Sequence, residues 1–172
     1  MRDTVLDNAR IGPGDVVVDA GTGTGLIAAA ASERVGADGV VLALDASVDH
    51  LEELRRVATA PNIFFLLGSA DVLPLPDESA DAACARFGEA DVRDAAEAAR
   101  ELFRVLRRGG RLSIFEPSRK PDEDPGAPAL NSHEHDLEKH LHEAGFVDVT
   151  LDLPSGDGES AGAPLYLTAA KP

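Results

Sequence analysis

The sequence has no tryptophan, one cysteine, one methionine, one tyrosine and only three lysines, Lys120, Lys139 and Lys171. The single cysteine, Cys84, excludes an internal disulfide framework and suits a reducing compartment, so a cytoplasmic setting is expected. No apolar run approaches the ~20 residues of a membrane-spanning helix. The first ten residues, MRDTVLDNAR, lack the apolar core of a signal peptide. With aromatics at 4% of residues, a pocket lined mainly by aromatic rings is not expected.

What the chain has in excess is acid. Asp and Glu number 31 against 16 Lys and Arg, a net charge of -15. Such a surface repels phosphate backbones and anionic membranes, which turns the search for a partner away from nucleic acid and lipid and toward a small molecule. Arg104, Arg107, Arg108 and Arg111 lie close together, and they read as cations closing a helix and complementing its C-terminal dipole. Hydrophobic content of 44% and charged content of 27% describe an ordinary globular chain, and 172 residues predict one domain spanning 1–172.

Along that domain strands alternate with helices. Residues 1–10 read as a short helix stopped by Pro13-Gly14. Val16–Asp19 is a β-branched buried strand, and the alanine-rich Leu26–Val35 is a helix. Val40–Asp45 is the second strand, after which Ser47 caps a helix with Val48, Leu51 and Leu54 on one face. Ile63–Leu67 and Ala80–Arg86 are the third and fourth strands. A helix over 92–107 buries Ala95, Ala99, Leu102 and Leu106 and ends at Gly109-Gly110, and Arg111–Glu116 is the fifth strand. The proline-rich stretch 117–131 reads as a loop, followed by a helix over about 133–144 and strands Val147–Leu153 and Leu165–Ala169. This order predicts a Rossmann-like α/β fold, a doubly wound, seven-stranded, mostly parallel sheet whose C-terminal strand runs antiparallel. The ligand crevice of such a sheet lies at its strand C-termini.

The first strand runs into glycine at every second position, VVVDAGTGTG over residues 16–25. Gly21, Gly23 and Gly25 allow a sharp turn and close approach of a ligand. A dinucleotide fingerprint needs a third glycine where Leu26 stands, and a triphosphate loop needs a Gly-Lys-Ser/Thr run, yet no lysine precedes Lys120. Asp19 adds a physical discriminator. Its carboxylate would repel a pyrophosphate but favour ammonium and sulfonium, and S-adenosylmethionine carries both; the same carboxylate also suits tying down the turn. Asp45, after VVLAL, can accept from the two hydroxyls of a ribose, and Asp71, in GSAD, from an adenine amine. Three acids at three successive strand ends outline an adenosine with a cationic tail.

In these residues the sequence resembles the class I S-adenosylmethionine-dependent methyltransferases, in particular the ubiquinone/menaquinone-biosynthesis group. DAGTGTG matches the acidic-x-Gly-x-Gly-x-Gly motif and LALDAS the ribose-binding strand end. GSADVLPLPDESADAACARF is similar to the adenine-binding segment, ELFRVLRRGGRLSIFEP to the helix, double glycine and fifth strand, and HLHEAGFVDV to the last helix and sixth strand. The resemblance implies that Asp19, Gly21, Gly23 and Gly25 hold the methionine end, Asp45 the ribose, and Ala70 and Asp71 the adenine. Arg86 and Phe87 would sit beside the donor methyl, and Thr22, Ala46 and Ser69, interleaved with these positions, complete the cofactor-binding set. It further implies transfer of a methyl group to an O, N or C nucleophile of a small molecule.

The parts that would handle an acceptor are less developed. Ahead of the glycine strand stand only about ten helical residues, where members of the family carry covering helices. The lid that they commonly insert after the fifth strand corresponds here to the short polar loop 117–131. The alternative function is therefore a non-catalytic or repurposed S-adenosylmethionine-binding domain that keeps the cofactor site and has a reduced substrate lid. A second copy of the chain could close an uncovered cleft, which makes a homodimer the expected assembly beyond the monomer. Candidate bases are Glu116, at the end of the fifth strand, and His133 or His135 in NSHEHDLEKHLHEAG. His133, Asp136 and His140 share a helical face, but a capping box from Asn131 to Glu134 with buried Leu137 and Leu141 explains that segment, and no metal is expected.

Overall fold

A computed structural model describes residues 2–86, 95–116, 130–152 and 165–172, with side chains at all of these except 116 and 130–135. The elements run α1 (Arg2–Asn8), β1 (Val16–Ala20), α2 (Leu26–Val35), β2 (Val40–Asp45), α3 (Val48–Val57), β3 (Ile63–Leu67), β4 (Ala80–Ala85), α4 (Ala95–Val105), β5 (Leu106–Glu116), α5 (Leu130–Ala144), β6 (Val147–Asp152) and β7 (Leu165–Ala170). The strands form one sheet in the order β3-β2-β1-β4-β5-β7-β6. β1 to β5 pair in parallel, and β7 inserts antiparallel between β5 and β6. The chain winds outward from β1 through β2 to β3, then returns to β4 on the other side of β1. That reversal opens a crevice at the β1 and β4 C-termini.

Two apolar layers hold the sheet. Val17, Val41, Ala43, Ala82 and Cys84 face Val5 and Leu6 of α1, Ala28 and Ala31 of α2 and Leu54 of α3. On the other face Val18, Ala83, Leu112, Ile114 and Leu167 meet Ala98 and Leu102 of α4 and Leu137 and Leu141 of α5. Both faces of β1 are therefore dry, which is why it reads as an unbroken apolar run rather than an alternating one. β4, ADAACA, is almost all alanine, and small side chains at the sheet centre let α4 approach through Ala98 and Ala99. Between β3 and β4 no helix forms. Residues 68–79 cross the α4 face as an extended loop that buries Ala70 and Leu73, and its Pro74 and Pro76 deny it the N–H groups of a helix.

Several boundaries differ from the expectation. α4 ends at Val105, and the chain enters β5 at once. Leu106 pairs with Ala80 and Arg111 with Ala82, so Gly109-Gly110 forms an irregularity within β5 rather than a separating turn. Its positive φ at Gly109 is held from the C-terminal segment, where Gly109 N–H donates to the Lys171 carbonyl and Lys171 N–H to that of Gly110. α5 begins at Leu130, three residues before the expected start, and β4 stops at Ala85. Arg86 still donates its N–H to the Ala20 carbonyl at 3.1 Å. Among the described residues no helix is long and apolar enough to cross a membrane.

Candidate functional site

The glycine turn after β1 is closed on itself. Gly21 and Thr22 N–H both donate to the Leu44 carbonyl, at 2.8 and 3.0 Å, and Gly25 N–H donates to the Thr22 carbonyl at 2.8 Å. Gly23 N–H donates to Asp45 Oδ2 at 2.8 Å. A phosphate-binding loop works by presenting free N–H groups to the anion. Here four of them are committed to β2 and to the turn itself, and the carboxylate of Asp45 occupies the position an anion would want.

The glycines carry this turn for distinct reasons. Gly21 has φ +77, and a Cβ there would lie 2.9 Å from the Arg86 carbonyl oxygen, so β1 and the end of β4 meet at a point where no side chain fits. Gly25, at φ +79 ahead of α2, would drive a Cβ to 2.0 Å from Leu54 Cδ1. Gly23 differs: nothing lies within 4 Å of the space its Cβ would take, so it is there for its φ of +53 and not for lack of room.

Asp19 is 3% exposed and accepts a hydrogen bond from Thr22 Oγ1 at 2.7 Å and one from the Ala28 N–H. Burial pushes its carboxyl up to about 6. The Thr22 and Ala28 bonds oppose that rise, and the Asp45 carboxylate adds to it. Among the described residues no Lys, Arg or His pairs with it. Cys84 stands beside Asp19 across the β1–β4 ladder, and burial followed by the Asp19 charge pushes its thiol well up, so it stays protonated and a poor nucleophile.

Asp45 closes β2. Besides Gly23, it accepts from Ser47 N–H at 2.8 Å, and His50 Nδ1 lies 3.2 Å from Oδ1. Ser47 in turn caps α3 by accepting from His50 N–H. A carboxylate has about four acceptor positions, so Asp45 can fix the turn and still accept from a ligand.

These parts border two adjoining cavities. Gly21, Leu44, Asp45, Ala46, Gly68, Ser69 and Ala70 line the first. The second is lined by Asp19, Gly21, Thr22 and Thr24, by Val5, Leu26 and Ile27, by Cys84 and Ala85, and by the ring of Phe115. Arg86 borders both. The structure thus brings together Asp19, Gly21, Thr22, Asp45, Ala46, Ser69, Ala70 and Arg86. Gly23 and Gly25 shape the turn without lining either cavity. Asp71 sits at a tight turn, in which Val72 N–H donates to the Ser69 carbonyl, one residue beyond the lining Ala70. Phe87 and the side chains of Glu116, His133 and His135 lie outside the described residues. No group of three metal-ligating side chains occurs among the described residues.

Sequence reasoning missed the walls of the second cavity, because Val5, Ile27, Cys84 and Phe115 look like any other core residue until the fold carries them to one place. Among the described residues Phe115 is its single aromatic wall, and its ring meets that of Tyr166 at 5.8 Å. The arginines were misread. Arg104 and Arg107 do not simply complement a helix dipole; Arg104 grips Glu101, Asp77 and the carbonyls of Leu73 and Leu75, and Arg107 pairs with Asp81.

A two-carboxylate crevice whose glycine turn has spent its N–H groups suits a ligand with a diol and a cation, the chemistry of an adenosyl sulfonium amino acid. The comparisons agree in kind. The family model described as the ubiE/COQ5 methyltransferase family matches residues 1–125. The ubiquinone/menaquinone biosynthesis C-methyltransferase UbiE of Pasteurella multocida is 34% identical over 136 residues, 77% of this chain and 50% of that protein. The UbiE of an Enterobacter species is 31% identical over 159 residues, 90% of this chain and 59% of that protein. The chain thus spans about half the length of the curated relatives it matches. In fold it resembles an S-adenosylmethionine-dependent methyltransferase from Aquifex aeolicus, with TM-score 0.75 and 22% identity, covering 98% of this chain and 88% of that one. A Mesorhizobium loti methyltransferase gives TM-score 0.75 at 17% identity, covering 98% and 96%.

Proposed function

The chain belongs to the ubiE/COQ5 methyltransferase family, and on that premise we propose that it is an S-adenosylmethionine-dependent methyltransferase whose 172 residues form one domain acting on a small molecule. The observation that carries this reading is the buried Asp19 carboxylate, lifted to about 6 and without a protein cation among the described residues, behind a glycine turn with four of its N–H groups already donated. Such a carboxylate is poised for a cationic ligand and set against a phosphate.

S-adenosylmethionine, when bound, supplies a methyl group on a sulfonium centre and leaves as S-adenosylhomocysteine. The residues fit it in three places. Asp19 would hold the charged amino-acid end, Asp45 the ribose hydroxyls, and Ser69, Ala70 and Asp71 the adenine. Arg86, which borders both cavities, would stand between the cofactor and the acceptor, with Phe87 next in the chain. The second cavity would take the acceptor. The acidic groups among its described lining residues are Asp19 and Cys84, and neither serves as a base once Asp19 is paired with a ligand cation and Cys84 stays protonated. Its contribution to rate is therefore alignment and exclusion of water by Val5, Leu26, Ile27 and Phe115. An acceptor needing deprotonation would draw on Glu116, His133 or His135. A cytoplasmic setting, an acceptor other than nucleic acid, and closure by a second copy complete the reading. Low cysteine supports the first and the net charge of -15 the second.

The test is a thermal-shift panel with S-adenosylmethionine, S-adenosylhomocysteine, NAD and ATP. A ligand at a hundredfold over its Kd stabilises by about 2.7 kcal/mol, which for a chain of this length raises Tm by roughly 5–10 °C. The two adenosyl sulfur ligands should give that shift. A shift with NAD and none with either of them refutes the proposal. Appearance of S-adenosylhomocysteine with a small-molecule acceptor panel then tests turnover.

A further inference from the structure

The adenosine cavity has a floor that the strands do not hold. Gly68, Ser69 and Ala70 line it, and the Ser69–Val72 turn places Ala70 and Asp71 at its tip. One limb of this turn is tied to β2, where Gly68 N–H donates to the Asp45 carbonyl at 3.0 Å. The other limb, residues 73–79, pairs with no strand. Pro74 and Pro76 carry no N–H, so the backbone of VLPLP cannot build a ladder; Val72 and Leu75 N–H are met within the loop, by the Ser69 and Leu73 carbonyls, and Leu73 N–H and the Leu75 carbonyl need partners from elsewhere.

Those partners come from α4. Glu101 Oε2 accepts from Leu73 N–H at 2.8 Å. Arg104 donates from Nη2 to the Leu73 carbonyl at 3.1 Å and from Nη1 to the Leu75 carbonyl and Asp77 Oδ1, both at 2.8 Å. Glu101 in turn braces the guanidinium, with Nε to Oε1 at 2.6 Å and Nη2 to Oε2 at 2.7 Å. The backbone of α4 continues the seam, for Glu78 N–H donates to the Arg104 carbonyl and Ser79 N–H to that of Val105. Each guanidinium edge is used, and the planar fork fits two carbonyls and two carboxylates at once, which a lysine cannot do. The hydrogen bonds between them, and to a lesser degree their opposite charges, hold the Glu101 carboxyl below its usual range and keep the Arg104 guanidinium firmly protonated, with Asp77 adding to the latter, so the seam does not depend on pH near neutrality.

We propose that Glu101 and Arg104 are positioning residues for base recognition: by fixing the proline-containing limb they set the height of the Ala70–Asp71 tip, and so the enzyme's preference for adenine. Neither touches the cofactor. This rests on the adenosine reading of the cavity, with Asp71 accepting from the exocyclic amine.

The experiment measures Kd by calorimetry for S-adenosylhomocysteine and for S-inosylhomocysteine, in which the amine is replaced by a carbonyl. The proteins compared are the wild type, Arg104→Met, Arg104→Lys, Glu101→Gln and Asn62→Ala. The last loses bonds to the Ser32 and Gly36 carbonyls at the end of α2, away from this loop, and serves as a control for general destabilisation. The wild type should prefer the adenosyl ligand at least tenfold, as loss of a bond to a charged acceptor predicts. Arg104→Met should weaken that ligand about tenfold or more and bring the two Kd values within about threefold of each other. Arg104→Lys and Glu101→Gln should fall between, and they carry the test if Arg104→Met does not fold. Asn62→Ala should lower Tm and keep the wild-type ratio. Retention of that ratio by Arg104→Lys, Glu101→Gln and any folded Arg104→Met overturns the proposal, as does a wild type that binds both ligands equally. A wild type that binds neither refutes the cofactor reading itself.

Discussion

Replacing Asp19 by Asn should stabilise the free protein and disable it. The carboxyl is shifted from 3.8 to about 6, chiefly by burial. A shift of about two units at 1.36 kcal/mol each is on the order of 3 kcal/mol of folding free energy set against the ionised group. The sign follows from the direction. A carboxyl whose folded value is raised favours folding in its protonated form, so its contribution is intact below pH 3.8 and lost as pH rises through 6. Asp19→Asn, of nearly the same shape and still able to accept from Thr22, should therefore match wild type near pH 4. By pH 7 to 8 it should exceed wild type by up to about 3 kcal/mol, measured by urea denaturation without ligand. Binding should move the other way. A cationic ligand needs the ionised form, and at pH 5 only about a tenth of the free protein has it, so the affinity of wild type for S-adenosylhomocysteine should fall roughly tenfold between pH 7.5 and 5. His50 faces Asp45 in the same crevice, and the Asp19→Asn profile removes the share of every group except Asp19. That variant should bind at least tenfold more weakly at pH 7.5 and show a flatter profile. An affinity for wild type that is level from pH 5 to 7.5, or a variant that binds within twofold of it at pH 7.5, would refute the reasoning.

Three further outcomes follow from the geometry. Asp45→Ala strips acceptors from Gly23 N–H and Ser47 N–H as well as from the ligand, and should remove the thermal shift given by S-adenosylhomocysteine while the apo protein stays folded. Gly25→Ala combines φ +79 with a Cβ 2.0 Å from Leu54 Cδ1, and should cost at least ~2 kcal/mol in urea denaturation, since Leu54 is buried and has little room to yield. Lys171→Met loses the donation from Nζ to the Leu106 carbonyl at 2.7 Å, the ion pair with Glu78 at 3.5 Å and the placement of the ammonium 4.8 Å over the Phe103 ring. It should lower stability by about 1–3 kcal/mol in urea denaturation.

Much of this architecture could be read directly from local pattern. Val16–Ala20, Val40–Asp45 and Leu165–Ala170 announce themselves as strands by β-branched or apolar runs, and Ser47 announces the start of α3 by its capping chemistry. Such signals are local, for they depend on backbone preference and side-chain period within a few residues. The end of α4 was less legible. Gly109-Gly110 has the composition of a helix stop, yet the C-terminal segment around Lys171 captures it into β5 from more than sixty residues away.

The sequence by itself determined the order of strands and helices, the acid at the end of β1 and the one at the end of β2, and the exclusion of lysine- and fingerprint-type phosphate loops. Only the tertiary structure decided what those residues do to one another. It spent the N–H groups of Gly21, Thr22 and Gly23 on Leu44 and Asp45, buried Asp19 without a cation among the described residues, and turned Arg104 from a helix-end charge into the clamp of the loop beside the adenosine cavity. The physical reason is common to all three. A hydrogen bond or a desolvated charge depends on which groups meet and how much water they lose, and for residues twenty to thirty positions apart those are properties of the packed sheet.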